Sequence, residues 1–275
     1  MTMNDGGVIC TSGTQLVGRL SIDPQRLAPE IKATESFPMD PSVGYGVGSW
    51  CKCLVWASKM GPLDTAKSGL AASLPMLMAA IHETFRVEAI NHLQIFSIKG
   101  RGFILPHRDW VPARPLHTRL HIPLQTNEQC LHAEEASVFH MSEGEAWVVD
   151  ASLTHSAANF SEANRIHVVV DFDPEVPVHE LFRVPGNCES APFESIDRPK
   201  PTSDSLDAIY GLAEIASARN FQRIADMLAT VHYDRQVNCA AMYDWLSEIA
   251  HRSGEAKLVD LAAVLQRRYL GPFDF

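Results

Sequence analysis

Two stretches of the chain carry residues whose types and spacing could do chemistry. One reads Leu105-Pro106-His107-Arg108-Asp109-Trp110 and leads into Arg119-Leu120-His121-Ile122-Pro123-Leu124. The other is Thr154-His155-Ser156, followed by Arg165-Ile166-His167-Val168-Val169-Val170-Asp171-Phe172. His107 and Asp109 are two apart, so on an extended backbone both side chains point to one side. Two imidazoles and one carboxylate on one face of an ion make a non-haem Fe(II) site that leaves positions open for a co-substrate and O2. His155, 46 residues beyond Asp109, is the candidate third ligand. It follows a turn-like Asp150-Ala151-Ser152.

A His-x-Asp pair alone is weak in a chain with 12 histidines, where it recurs by chance. Its neighbours strengthen it. Arg165 lies 10 residues after His155 and opens an apolar, β-branched run. A guanidinium there could grip a carboxylate through two parallel hydrogen bonds. Arg119 and His121 form another i, i+2 pair facing one way. Two arginines near such a set suit a diacid co-substrate such as 2-oxoglutarate, chelating iron at its keto-acid end and held by an arginine at its far carboxylate.

The segment from His107 to Asp171 resembles the aspartyl/asparaginyl β-hydroxylase family of Fe(II)/2-oxoglutarate dioxygenases, and within it the bacterial L-proline cis-4-hydroxylase branch. Phe139-His140-Met141, Gly144-Glu145-Ala146-Trp147, the run from Asp150 to Ala157 and the run from Met242 to Ile249 carry the same likeness. It extends from roughly residue 45 onward. The resemblance implies a mainly β chain with helices, its core a double-stranded β-helix (jelly-roll). In that core the His-x-Asp strand and the distal-His strand lie across the barrel mouth from one another. It implies His107, Asp109 and His155 as iron ligands and catalytic centre, Arg165 on the far carboxylate of 2-oxoglutarate, and Arg119 and His121 near its chelating end. It further implies ascorbate as reductant and a free amino acid as substrate, proline first. One position departs from the pattern. Where the proline hydroxylases carry a substrate-facing arginine, this chain has Gln94, which can donate and accept hydrogen bonds but brings no charge. Arg101, Arg108, Arg114 or His117 could compensate, or the substrate could differ. Trp110 and Tyr45 are weaker candidates for substrate contact.

Composition bounds the alternatives. With 275 residues, 46% hydrophobic and 20% charged, there is ample material for a core. A net charge of −10 and a pI near 5.6 argue against a nucleic-acid partner, which calls for a basic face. No run approaches the roughly 18 apolar residues of a membrane span. The N-terminus lacks the basic and apolar regions of a signal peptide. The six cysteines show no zinc-ribbon spacing and read as free thiols of a cytoplasmic protein.

Taken in order, the pattern predicts strands over 15–22, 49–56, 89–99, 103–109, 119–125, 137–141, 146–150 and 166–172. Helices are expected over about 24–32 and 73–85. Residues 37–48 read as loop, and Pro123 as the mark of an edge strand or a bulge. Glu134, Glu135, Glu143 and Glu145 read as a solvated acidic rim. From Ser205 the period changes to that of helices, over 205–218, 220–231, 239–251 and 256–269. Leu212, Ile215, Ile224, Met227, Leu228, Tyr243, Leu246 and Ile249 are expected to form one packed face. The organisation that follows is a dioxygenase domain over 1–175, a linker over 176–204 and a helical region over 205–275, serving as a cap or a homodimer surface. Two other readings stay open: a cupin-like metal-binding module without catalysis, and the same oxygenase acting on a residue within a peptide.

Overall fold

The computed structural model describes residues 13–37, 39–41, 46–47, 50–57, 70–109, 117–184 and 193–271. Tyr45, Trp110, Arg114, Cys10 and Cys188 lie outside them. Twelve strands are described: β1 (Gln15–Arg19), β2 (Asp40–Pro41), β3 (Gly46–Val47), β4 (Trp50–Ala57), β5 (Ile90–Ile98), β6 (Phe103–His107), β7 (Thr118–Gln125), β8 (Cys130–Glu134), β9 (Ser137–His140), β10 (Glu145–Val149), β11 (His155–Asn159) and β12 (Arg165–Phe172). The helices are α1 (Ala28–Ala33), α2 (Pro75–Thr84), α3 (Ser203–Gly211), α4 (Phe221–Leu228), α5 (Val231–Asp234), α6 (Ala241–Ser253) and α7 (Ala256–Leu270). The strands make two antiparallel sheets, ordered β1-β10-β7-β12-β5-β4-β2 and β3-β6-β11-β8-β9.

The larger sheet is organised by β12, whose eight residues are all buried. Alternation sorts them. Ile166, Val168, Val170 and Phe172 join Leu120, Ile122, Leu93 and Ile95 of the flanking strands in the main core, together with Leu77, Ile81 and Phe85 from α2 and its end. Arg165, His167 and Asp171 point the other way. The register sets Asp171 opposite Arg119 and Val169 opposite His121 on β7, with His92 and Gln94 opposite the same two residues on β5. The helix-covered face of this sheet is therefore apolar, and its other face carries the polar groups.

Several expectations are corrected. Residues 37–48 contain β2 and β3, each only two residues long. Strand β8 falls where no strand was expected, because Cys130–Glu134 mixes a histidine and an acid into a short run. Of the two readings of Pro123, the edge strand is corrected, since it sits on a central strand, while the bulge agrees with the register irregularity opposite it, between Ile166 and His167. Glu134 and Glu145 are buried rather than solvated. Glu134 accepts hydrogen bonds from the Thr14 backbone and hydroxyl, and Glu145 from Trp147 Nε1 and Ser142 N. The strands β6 and β11, expected across the barrel mouth from each other, are hydrogen-bonded neighbours with His107 and His155 directly paired.

The C-terminal helices pack around Ile224, Leu228, Tyr243, Leu246 and Ile249, and this cluster includes Leu105 of β6. Ile215 and Met227, expected on the same face, are 64% and 59% exposed. Ile215 caps a short 3-10 turn. Met227 falls off the arc of α4 held by Phe221, Ile224, Ala225 and Leu228. None of the described helices is long and apolar enough to cross a membrane.

The turn after β5 is tight against the β11–β12 connection. A Cβ at Gly100 would stand 2.4 Å from the Glu162 carbonyl oxygen. Gly100→Ala is expected to cost about 1–3 kcal/mol through backbone displacement, read as a lower urea midpoint with unchanged m-value.

Candidate active site

The paired ends of β6 and β11 put two imidazoles side by side, with ring centroids 4.3 Å apart. Each ring is oriented by its own backbone: His107 Nδ1 lies 2.7 Å from Leu105 O and His155 Nδ1 lies 3.0 Å from Leu153 O. A carbonyl can only accept, so each Nδ1 donates to its carbonyl and each ring turns its Nε2 away from that bond. Asp109, two residues beyond the end of β6, turns its carboxylate to the same place, with Oδ1 3.3 Å from His107 Nε2. Potential ligand atoms of His107, Asp109 and His155 all lie within 4.8 Å of one another. Two imidazoles and a carboxylate brought together in this way suit a first-row divalent metal.

Electrostatics keep this set ready for a cation. Burial pushes the His155 imidazole down to about 4, with His107 adding to the effect. Burial opposes the charged form of Asp109, but the His107 hydrogen bond and the Arg119 charge outweigh it and hold the carboxyl well below its usual range. Arg119 is the second carboxylate's partner as well. Its Nη1 donates to Asp109 Oδ2, while Nε and Nη2 donate to Asp171 Oδ1 and Oδ2 at 2.7 and 3.0 Å.

Beyond the three candidate ligands lies a chamber of buried basic side chains. Arg165 is 5% exposed, and its side chain has no hydrogen bond or ion pair among the described residues. Burial pushes its guanidinium down to about 10. His121, His132 and His167 are held well below the ordinary imidazole range, by burial first and by nearby cations after it. Both ring nitrogens of His132 and His167 and Nδ1 of His121 are buried without a partner. Unpaired buried polar groups cost free energy unless something completes them. An anion reaching Arg165 past these rings would do so. His132 stacks on His155, with centroids 6.0 Å apart and planes at 13°.

Gln94 reaches the same space, its Nε2 3.3 Å from Asp171 Oδ2. Two of the arginines that could compensate for it are engaged elsewhere: Arg101 with Glu162 and Arg108 with Thr154 Oγ1. His117 does lie nearby, its ring 5.2 Å from that of His92. His92, His117 and Asp171 also bring ligand atoms within 4.8 Å of one another. Asp171 is already shared there between Arg119 and Gln94, and a cation would sit against the guanidinium. The group is a polar wall rather than an ion site. His132, His167 and Asp171 were not singled out from the sequence. The odd-position alternation of β12 that contains Arg165 was the available signal for two of them; His132, on an unrecognised strand, gave none.

Comparison with known sequences bears directly on this geometry. The aspartyl/asparaginyl beta-hydroxylase family matches residues 27–174, which hold every residue of the chamber. The chain belongs to the aspartyl/asparaginyl β-hydroxylase family. The C-terminal part of L-proline 3-hydroxylase matches residues 179–273. An L-proline cis-4-hydroxylase of Rhizobium meliloti (strain 1021) is 31% identical to this hydroxylase, with 94% of this chain and 96% of the relative covered. L-proline cis-3-hydroxylase 2 of a Streptomyces species is 27% identical, with 90% and 91% covered. A solved 2OG-Fe(II) oxygenase family oxidoreductase from Burkholderia pseudomallei is 18% identical, with 63% of this chain and 93% of that one covered, at a TM-score of 0.38.

The depressed imidazoles predict how the metal-free hydroxylase responds to acid. An unfolded histidine takes a proton near pH 6.5, while the folded, buried ones refuse it. The unfolded state then binds more protons, so stability falls as pH drops below about 6.5, by about 1.4 kcal/mol per pH unit for each such group. Urea unfolding at pH 7.5, 6 and 5 should show this fall. His132→Leu should flatten it by about one proton; an unchanged slope would mean that His132 is not buried in its neutral form.

Proposed function

We propose that this chain is an Fe(II)- and 2-oxoglutarate-dependent hydroxylase of a small amino acid, with L-proline the first candidate. The observation that carries the reading is the unpaired, buried Arg165 facing the same interior as His107, Asp109 and His155. A metal-binding module without catalysis would need the three ligands but not a guanidinium sealed from solvent without a counter-charge.

The residues fit both groups. His107 and His155 would bind iron through Nε2, and Asp109 through the carboxylate oxygen that Arg119 leaves free. Arg165 would take the distal carboxylate of 2-oxoglutarate, with His121 and Arg119 toward its keto-acid end. Iron, 2-oxoglutarate and O2 together supply the chemistry that hydroxylates an unactivated C–H bond while 2-oxoglutarate becomes succinate and CO2, with ascorbate as the external reductant. The chain's own work is positional. Arg119 holds Asp109 in its ionised form and aims it. The backbone carbonyls of Leu105 and Leu153 hold the ring planes. The neutral His121, His132 and His167 line the interior without adding cationic charge beside Arg165. In this reading residues 1–175 form a jelly-roll dioxygenase domain, 176–204 a linker and 205–275 a helical region packed on it, in a cytoplasmic enzyme.

The relatives named for L-proline support proline as substrate. Gln94 favours a second reading of the same chemistry, in which another small amino acid is hydroxylated, because the described part of this wall offers hydrogen bonds and no free guanidinium. Succinate release with Fe(II), ascorbate and 2-oxoglutarate should be stimulated by one member of a panel of free amino acids. Stimulation by proline fits the first reading, stimulation by another amino acid the second, and silence across the panel with iron bound would defeat both. Arg165→Ala should raise the 2-oxoglutarate KM by at least about tenfold, as expected on losing a charge-assisted bidentate pair, while leaving the affinity for iron unchanged. An unaltered KM would remove Arg165 from the co-substrate site.

A further inference from the structure

Strand pairing stops where the geometry of the metal-ligand set has to be most exact. His107 is the last residue of β6 and His155 the first of β11, and their ladder is irregular between His155 and Ala157. Beyond the histidines Asp109 N donates to Ala151 O and Glu135 N to Thr154 O, each at 2.8 Å, and His155 stays in register with Glu134 of β8. The residues flanking the histidines are also tied to the C-terminal helical region. Tyr243 Oη donates to Pro106 O at 2.6 Å, and Arg108 N donates to Tyr269 O at 3.0 Å. Cys239 Sγ lies 3.3 Å from Thr154 O. Ser156 Oγ lies 2.6 Å from Tyr233 Oη and 2.9 Å from His232 Nε2. Thr154, Ser156, Tyr233 and Tyr243 are all buried, so water does not compete for these bonds.

Neither tyrosine approaches the metal-ligand atoms. Ser156 points to the opposite face of its strand from His155, and Tyr243 grips a backbone carbonyl one residue before His107. The contacts on the two sides are equivalent: one tyrosine behind each histidine, both from the segment 233–243. We propose that Tyr233 and Tyr243 are positioning residues that set the separation and tilt of His155 and His107, so that the C-terminal helices determine metal affinity through groups that never touch the metal. This rests on the reading of His107 and His155 as ligands. A helical region whose only task was to cover apolar surface would need the contacts of Leu105 with Leu246 and its neighbours, but no matched hydroxyls aimed at the residues adjoining both histidines.

The test is metal affinity of the full-length chain, measured anaerobically by calorimetry with Fe(II) and, in parallel, Co(II), without co-substrate. Tyr233→Phe and Tyr243→Phe remove only the hydroxyls. Each is expected to weaken binding about tenfold, at the low end of the loss seen when partners that orient metal ligands are removed. Ser156→Ala deletes the same bond as Tyr233→Phe from the strand side, together with the contact to His232, and the pair combined should be no worse than Ser156→Ala alone. Leu258→Ala, in the helical core away from these bonds, should lower thermal stability while leaving metal affinity unchanged. Wild-type affinity in both Phe variants and in Ser156→Ala would overturn the proposal. So would an equal loss in Leu258→Ala, which would mean that general loosening suffices. If a tyrosine variant fails to fold, Ser156→Ala decides the His155 side by the same criterion. His107→Ala provides the separate check on the ligand reading: if it binds metal like the wild type, that reading falls, whatever the tyrosines do.

Discussion

A guanidinium enclosed between two carboxylates sets the terms for the interior of this protein. Arg119 reaches Asp109 on one side and Asp171 on the other. Those two acids belong to different sheets: Asp171 to β12, and Asp109 to the segment leaving β6. Breaking such a pair by removing one partner leaves a buried, uncompensated charge, at about 3–5 kcal/mol. The clamp therefore fixes Asp109 relative to the larger sheet and keeps it ionised. Once Arg119 is neutralised this way, the remaining balance of the chamber follows. Its other histidines are held below the ordinary imidazole range by burial first, and by the nearby cations after it. Arg165 alone among the described cations of the chamber has no protein partner, and only an anion from outside can supply one.

The polar interior is also what made the site legible in sequence and some of the fold not. In β12 the apolar residues at 166, 168, 170 and 172 announce a strand, and the intervening Arg165 and His167 announce that its second face is not solvent-exposed routine. The same alternation placed His107 with Asp109 and Arg119 with His121 on common faces, and the structure keeps both pairings. What alternation could not give is which strands are neighbours. The adjacency of β6 and β11 depends on a long-range pairing between residues 48 apart, His107 and His155, and nothing local encodes it. Strand β8 was missed because its five residues include His132 and Glu134, which are polar by type and buried by context. Glu134 and Glu145 misled for the same reason. Their neighbours in the turn suggested solvent, but Glu134 is satisfied by Thr14, 120 residues away, and Glu145 by the Trp147 indole and Ser142 N of its own hairpin.

The two halves of the ligand set are supported differently. Asp109 is held by a charge-assisted bond from the opposite sheet, strong but dependent on the protonation state of both partners. The histidines are held by neutral bonds, from backbone carbonyls to the rings and from the helical region to the flanking residues. Neutral bonds in a dry environment change little with pH or salt.

The same clamp limits what can occupy position 94. Gln94 shares Asp171 Oδ2 with Arg119 Nη2, so any residue there is one hydrogen bond from the group that orients Asp109. A second guanidinium at this position would compete with Arg119 for a single carboxylate unless a substrate carboxylate balanced it. The neutral amide makes no such demand, and the chamber is electrostatically complete on that side before substrate arrives. Recognition in this part of the pocket then rests on hydrogen-bond direction and shape rather than on charge. A polar site of that kind discriminates by leaving its own buried groups unpaired when the wrong molecule binds. In the proposed function, specificity can thus shift at residue 94 while the three candidate metal ligands and Arg165, carried on other strands or farther along β12, keep their geometry.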